Sequence, residues 1–125
     1  MSRIFAISDL HVDCIENMYF VERLSFQKYQ NDVLLLAGDV TDKMPLLKSA
    51  LRILKKKFKE VCFVPGNHDI WIREPNSWED SIGKFHRILD MCKSLNVKTD
   101  PLQVTLQDGS DVWIVPLFSW YSTPE

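Results

Sequence analysis

The sequence predicts an α/β fold built on a parallel sheet. Three short apolar runs alternate with stretches of helical periodicity, and the predicted order of elements is β-α-β-α-β-α-β-β. The second run is continuously apolar, which is typical of a parallel strand that is buried on both faces. Right-handed crossovers between parallel strands would bring the carboxyl ends of all three strands to one edge of the sheet.

Composition limits the classes of partner. The chain has 125 residues, of which 46% are apolar and 26% charged, as expected of one globular domain. Fifteen basic and 17 acidic residues give a net charge of −2, which disfavours nucleic-acid binding. No apolar run approaches the roughly 20 residues of a transmembrane helix, and the run before Asp9 is too short for a signal peptide. We therefore expect no nucleic acid and no membrane as partner.

Three widely spaced cysteines, Cys14, Cys62 and Cys92, favour reduced thiols over disulfides or a zinc knuckle. This pattern predicts a cytoplasmic protein. Cys62 lies in an apolar run and is expected to be a small core residue. Cys14 follows a candidate metal motif, but a free thiol beside a loop is the more common role for such a residue.

The three parallel strands are predicted at Ile4–Ile7, Val33–Ala37 and Val61–Val64, with a helix over about 16–30 between the first two. Two later segments, Leu102–Leu106 and 112–115, flank an Asp-Gly turn. Apolar residues alternate with polar ones in these segments, so they predict an antiparallel hairpin at the end of the chain.

The second helix is expected to begin near Pro45, which suits a first-turn position, with Thr41 or Asp42 as its cap. Its apolar residues recur at helical spacing and predict one buried stripe of Leu47, Ala50, Leu51, Leu54 and Phe58. Lysines in the last turns complement the helix dipole, and we expect them to face water: Lys55, Lys56, Lys57 and Lys59.

The third helix is predicted to start from a capping pattern over Ser77–Asp80. Its apolar face would contain Trp78, Ile82, Phe85, Leu89 and Cys92. His86 lies beside this face and is expected at or near the surface rather than on a metal.

Each of the three parallel strands ends in a polar cluster. The clusters are Asp9-Leu10-His11, Gly38-Asp39-Val40-Thr41-Asp42 and Pro65-Gly66-Asn67-His68-Asp69. Each pattern alone is common in surface turns. All three at one edge of a parallel sheet predict a functional site.

The residue types in these clusters suit metal chemistry. Asp9 and His11 are two positions apart, so both can point from one loop at one ion. Asp39 follows a glycine that permits a sharp turn, and its carboxylate could bridge two ions. Two ions about 3.5–4 Å apart are the usual arrangement for phosphoryl hydrolysis.

The third cluster would add a carbonyl oxygen from Asn67. His68 could then act as an acid or bind a phosphate oxygen, with Asp69 setting its tautomer. The mixed oxygen and nitrogen donors suit Mn, Fe, Zn or Co, and the sequence does not choose among them.

These three clusters resemble the motifs of the calcineurin-like metallophosphoesterases, D-x-H, G-D-x-x-D and G-N-H-[DE], without a mismatch. The resemblance implies an αββα sandwich, of which this chain would hold the N-terminal βαβαβα portion plus a hairpin. It also implies hydrolysis of a small phosphomonoester or phosphodiester, in which a hydroxide that bridges two divalent ions attacks phosphorus.

Carried over residue by residue, the resemblance gives as metal ligands Asp9, His11, Asp39 and Asn67. The first three would hold one ion, and Asp39 and Asn67 would hold part of the second. His68 is the expected catalytic acid, with Asp69 as its support.

The later family blocks, a lone histidine and G-H-x-H, have no counterpart in a sequence with three histidines. We therefore expect residues 1–125 to be a C-terminally truncated phosphoesterase domain, with the missing half as its natural partner. The alternatives are a short form completed by self-association and a catalytically incomplete binding or scaffold module. A nucleotide-binding domain is disfavoured because neither G-x-G-x-x-G nor a P-loop motif occurs.

The substrate is not indicated by the sequence. Four aromatic residues near or after the third motif could line a pocket, although packing is their more common role: Trp71, Trp78, Trp120 and Tyr121.

Overall fold

The computed structural model describes residues 2–73 and 78–120. The strands are β1 (Ile4–Ile7), β2 (Val33–Leu36), β3 (Glu60–Phe63), β4 (Leu102–Thr105) and β5 (Asp111–Ile114). The helices are α1 (Ile15–Arg23), α2 (Met44–Lys57) and α3 (Ser81–Ser94), and a 3-10 turn covers His68–Ile70. Within the described residues, none of these helices has the length and apolar character needed to cross a bilayer.

The parallel sheet has the strand order β1-β2-β3, with Ile4 opposite Val33 and Val33 opposite Glu60. After α3 the chain returns beside β3, where Lys98 donates its backbone N–H to Val61 and accepts one from Phe63. Strands β4 and β5 form a separate antiparallel pair. The predicted α/β fold, with a parallel sheet and a final hairpin, is confirmed.

The predicted buried stripe of helix α2 is confirmed, and it forms a large part of the core. The residues of its stripe are all buried and form one cluster with the inner side chains of β2 and β3: Leu47, Ala50, Leu51, Leu54 and Phe58. Helical spacing puts these residues on one face, so burying them against the sheet fixes the orientation of α2. The start of α2 then lies directly after the polar cluster that follows β2.

The cap of α2 differs from the prediction. Pro45 lies in the first turn as expected, but the capping position is held by Lys43, whose side chain makes no capping hydrogen bond. Thr41 accepts the backbone N–H of Lys43 on its hydroxyl oxygen at 3.2 Å, one residue before the helix. The prediction that Thr41 or Asp42 caps α2 is therefore wrong, and the first turn contains no acidic residue.

Lys57 was expected to face water and is instead fully buried. Its ammonium donates to the backbone oxygens of Val21 at 2.8 Å and Glu22 at 2.5 Å. These carbonyls belong to the last turn of α1, where helical carbonyls lack a partner within the helix. Burial lowers the pKa of Lys57, and the two hydrogen bonds join the end of α2 to the end of α1.

Helix α1 is shorter than predicted. It ends at Arg23 rather than near Gln30. The hydroxyl oxygen of Ser25 accepts the backbone N–H groups of Gln27 and Lys28, so a side-chain-stabilised turn replaces the last predicted turns.

The buried face of helix α3 differs from the predicted face. Asp80 caps it by accepting the N–H of Gly83 at 2.7 Å, while Ser77 lies outside the described residues. The buried residues of α3 are Lys84, Ile88 and Cys92. Trp78 precedes the helix and is fully exposed, and Ile82 is 69% exposed, so the predicted face is wrong for both. His86 is exposed, as expected.

Replacing Lys57 by Met should lower the free energy of unfolding by about 2 kcal/mol, because two carbonyls at the end of α1 lose a charged donor. Urea denaturation of Lys57→Met and of Lys56→Met, the change at the exposed neighbour, measures the effect. We expect Lys56→Met to stay within about 0.5 kcal/mol of the wild type. Equal stability of the two variants would contradict the role of Lys57.

Candidate metal centre

The three polar clusters meet at one edge of the parallel sheet. The loop after β1 runs beside the loop after β2: the N–H of Asp9 donates to the oxygen of Gly38 at 3.0 Å, and that of His11 to the oxygen of Asp39 at 3.1 Å. The loop after β3 completes the edge, because His68 in this loop contacts Asp39. Parallel topology therefore brings together side chains that are distant in the sequence.

The backbone of these loops adopts the left-handed region at several residues. Asp9, His11 and Asp39 have φ values of 57°, 44° and 56°. For a residue with a side chain this conformation costs about 1–2 kcal/mol, and it is concentrated at functional sites. These conformations are not predictable from the sequence, because aspartate and histidine do not require a left-handed backbone.

Gly38 allows the loops after β2 and β3 to approach closely. Its φ is 85°, and a Cβ built on it would lie 2.7 Å from the backbone nitrogen of Gly66. A side chain at residue 38 would thus push the two loops apart, and the glycine permits the contact on which the site depends.

Asp69 lies beneath the site and is fully buried. One carboxylate oxygen accepts the N–H groups of Val40 and Thr41 at 2.8 and 2.9 Å, and the other accepts those of Asp39 and Gly66 at 2.7 and 2.8 Å. Burial raises the pKa of Asp69, and the four backbone donors oppose that rise. The carboxylate therefore ties the loop after β2 to the loop after β3.

The prediction that Asp69 sets the tautomer of His68 is wrong, because both oxygens of Asp69 are engaged by backbone N–H groups. Asp39 lies against His68 instead. One oxygen of Asp39 accepts the backbone N–H of His68 at 3.0 Å, and the other lies 3.1 Å from the ring atom Nδ1. The Trp71 ring packs on His68 with 4.0 Å between centroids.

The side chains of His11, Asp39 and His68 each offer one ligand atom, and these atoms lie within 4.8 Å of one another. Asp9 adjoins this cluster, with one oxygen 3.7 Å from Nε2 of His11. A hydrogen bond with Ser8, and contacts with Asp39 and His11, lower the pKa of Asp9. Its carboxylate form, the form that binds cations, is therefore favoured.

A divalent cation fits this cluster. Nδ1 of His68 is buried and has no hydrogen-bond partner among the described residues, although it lies 3.1 Å from the Asp39 oxygen. Carboxylate oxygens with imidazole nitrogens form a donor set that suits first-row metals.

The other sequence candidates are less central. Asn67 is half-buried on the same loop, directly before His68. Cys14 is exposed, and its thiol donates to Glu16 at 3.0 Å. Trp120 donates to the backbone oxygen of Pro65 at 3.2 Å. Tyr121 lies outside the described residues. The contact between Trp71 and His68 was not predicted, and only their proximity in the sequence could have suggested it.

Comparison with known proteins decides the family. A model of the calcineurin-like phosphoesterases matches residues 2–120. The chain belongs to this family. Calcineurin-like phosphoesterases use divalent metal ions, and the cluster of His11, Asp39 and His68 provides a site of matching chemistry.

The chain is 31% identical over 121 residues to the acyl-carrier-protein phosphodiesterase PptH of Mycobacterium tuberculosis. The match covers 94% of this chain and 37% of that protein. It is also similar to the crystal structure of the phosphopantetheinyl hydrolase PptH, with a TM-score of 0.80, 28% identity and coverage of 94% of this chain and 42% of that one. The chain thus spans about two fifths of the length of these relatives.

Replacing Asp69 by Asn should lower the free energy of unfolding by about 3 kcal/mol, because an amide NH₂ would face backbone N–H groups that need an acceptor. The exposed Asp90→Asn on α3 is the matched control. Denaturant unfolding measures stability, and amide exchange at Val40 and Thr41 should accelerate selectively in Asp69→Asn. Unchanged exchange at both amides would show that Asp69 does not hold the loops.

Proposed function

We propose that this chain carries the metal centre and the catalytic acid of a phosphodiesterase. The observation that carries the proposal is that side-chain atoms of His11, Asp39 and His68 lie within 4.8 Å of one another, so that His68 lies beside the ion that His11 and Asp39 would hold. Membership of the calcineurin-like phosphoesterases and the similarity to a phosphodiesterase support it.

The substrate class to test first is a phosphodiester between a phosphopantetheinyl group and a carrier protein. The relative is named as an acyl-carrier-protein phosphodiesterase and as a phosphopantetheinyl hydrolase. This chain spans 37% of that relative, so the substrate class is proposed for this chain and is not carried over as a shown property.

Asp9, His11 and Asp39 would hold one divalent ion, and Asp39 and Asn67 would share a second. Bound divalent ions supply Lewis-acid polarisation of a phosphoryl oxygen and lower the pKa of a water nucleophile. Asp39 and Asn67 give the second ion two donors, which is fewer than a firmly held ion takes. The sequence has three histidines, of which His11 and His68 already have roles at this site and His86 lies on α3. We therefore assign the remaining ligands of the second ion to residues outside this sequence, in a longer chain or a second copy.

His68 would donate a proton to the leaving oxygen. Its Nδ1 faces Asp39, so Nε2 is the nitrogen left for the leaving group. Trp71 packs on the ring and limits its rotation, while the backbone N–H of His68 is fixed by Asp39. Asp39 thus orients both the proposed acid and the proposed ion, and Asp69 holds the backbone of Asp39.

His68→Ala should lower kcat for metal-dependent hydrolysis of an alkyl phosphodiester by about 10²–10⁴-fold. The loss should be much smaller for bis(4-nitrophenyl) phosphate, because 4-nitrophenolate leaves without protonation. Both rates are measured with Mn²⁺, and Mn²⁺ affinity is measured by calorimetry on the same samples.

The matched control is His86→Ala on α3, which removes the same side chain from an exposed position. It should retain wild-type turnover of both substrates. Equal losses for the two substrates, together with weakened Mn²⁺ binding, would make His68 a metal ligand rather than the acid. Unchanged turnover in His68→Ala would contradict the proposed function of this site.

A further inference from the structure

A groove of about 560 Å³ lies between the loop after β2, the start of α2 and helix α3. Its charged lining residues are Asp42, Lys43, Arg73, Lys84 and Arg87. Among the described residues that line the groove, four are cationic and one is a carboxylate, in a chain whose net charge is −2. The groove is separate from the residues assigned to metal binding.

Trp71 connects the groove to the proposed metal centre. Its ring packs on His68, and the guanidinium of Arg73 lies 5.1 Å from the centroid of the same ring. Lys84 donates to the backbone oxygens of Asp42 and Trp71 at 2.5 and 2.6 Å, so a buried ammonium fixes one wall. A molecule with one end at His68 could therefore extend into the groove.

The cations of the groove can bind a further anion. Arg73 pairs with Asp42, and Arg87 pairs with Glu79 at 2.8 Å, yet their side chains remain 66% and 54% exposed. A guanidinium has five N–H donors, so one ion pair leaves several of them available. Lys43 adds an exposed ammonium at the entrance to α2.

The start of α2 adds to this positive potential. Its first turn has no acidic residue and no side-chain cap, and Met44, Pro45 and Leu46 of that turn line the groove. Helix N-termini of this kind attract anions. The cationic side chains and the uncapped first turn of α2 both favour a negatively charged ligand in the groove.

We propose that this groove binds an anionic group of the substrate other than the phosphate that is hydrolysed. The inference rests on the proposed function for the position of the reacting phosphate. It specifies the substrate class as a phosphodiester whose leaving portion carries a second phosphate or a carboxylate. A small phosphorylated molecule and a carboxylate on a carrier protein share this chemistry, and the probes below distinguish them.

The binding test uses the wild-type chain in EDTA, so that it does not depend on the metal centre. Inorganic phosphate and, separately, succinate are titrated while backbone amide shifts are followed by NMR. Saturable shifts are expected over the first turn of α2 and near Arg73 and Arg87. Stronger binding of phosphate would favour a second phosphate on the substrate, and stronger binding of succinate would favour a carboxylate.

Charge-reversal variants distinguish anion binding in this groove from nonspecific electrostatic attraction to the protein. Lys43→Glu and Arg87→Glu should each weaken binding of the better probe by about tenfold, the usual scale for loss of a charge-assisted contact. Lys56→Glu makes the same charge change on the exposed surface of α2 and should change binding by less than about twofold. Equal weakening in the three variants, or no saturable shift in the wild type, would overturn the proposal.

Hydrolysis gives an independent readout. Arg87→Glu should raise KM for a diester with a second anionic group and leave KM for bis(4-nitrophenyl) phosphate unchanged. Failure of hydrolysis with both substrates, while the NMR shifts persist, would refute the proposed function and leave the groove as an anion site. Equal changes in KM for both substrates would overturn the groove's role in substrate selection.

Discussion

The buried carboxylate of Asp69 is the interaction on which the candidate site depends. Four backbone N–H groups from the loops after β2 and β3 converge on its two oxygens. One of these groups belongs to Asp39, which in turn contacts the backbone and ring of His68. The loops that carry Asp39 and His68 are therefore positioned by a carboxylate that is itself buried.

This arrangement accounts for the unusual backbone of the site. Asp9, His11 and Asp39 hold left-handed conformations that cost free energy, and hydrogen bonds between neighbouring loops offset that cost. Gly38 and Gly66 allow the loops to meet without a clash. The sheet and α2 support these loops, and the candidate ligand atoms of His11, Asp39 and His68 lie within 4.8 Å of one another.

Sequence reasoning correctly brought the three polar clusters to one edge of the sheet, because parallel topology leaves little choice about where strand ends meet. It failed where the outcome depends on which neighbour packs against a residue. Lys57 was expected in solvent, but the end of α1 supplies carbonyls that accept its ammonium. Likewise, Asp69 follows His68 directly, yet its carboxylate is held by backbone N–H groups that the sequence pattern does not reveal. The buried face of α3 depends on partners for Lys84 in the same way.

We propose that the strand-end loops form a preorganised site for a divalent ion. Calorimetric titration of Mn²⁺ into chelator-treated protein tests it most directly, with Asp39→Asn and the exposed Asp90→Asn as a matched pair. We expect one well-defined site per chain that Asp39→Asn removes and Asp90→Asn retains, with any second ion bound more weakly. Absence of binding in the wild type, or equal binding in both variants, would contradict it.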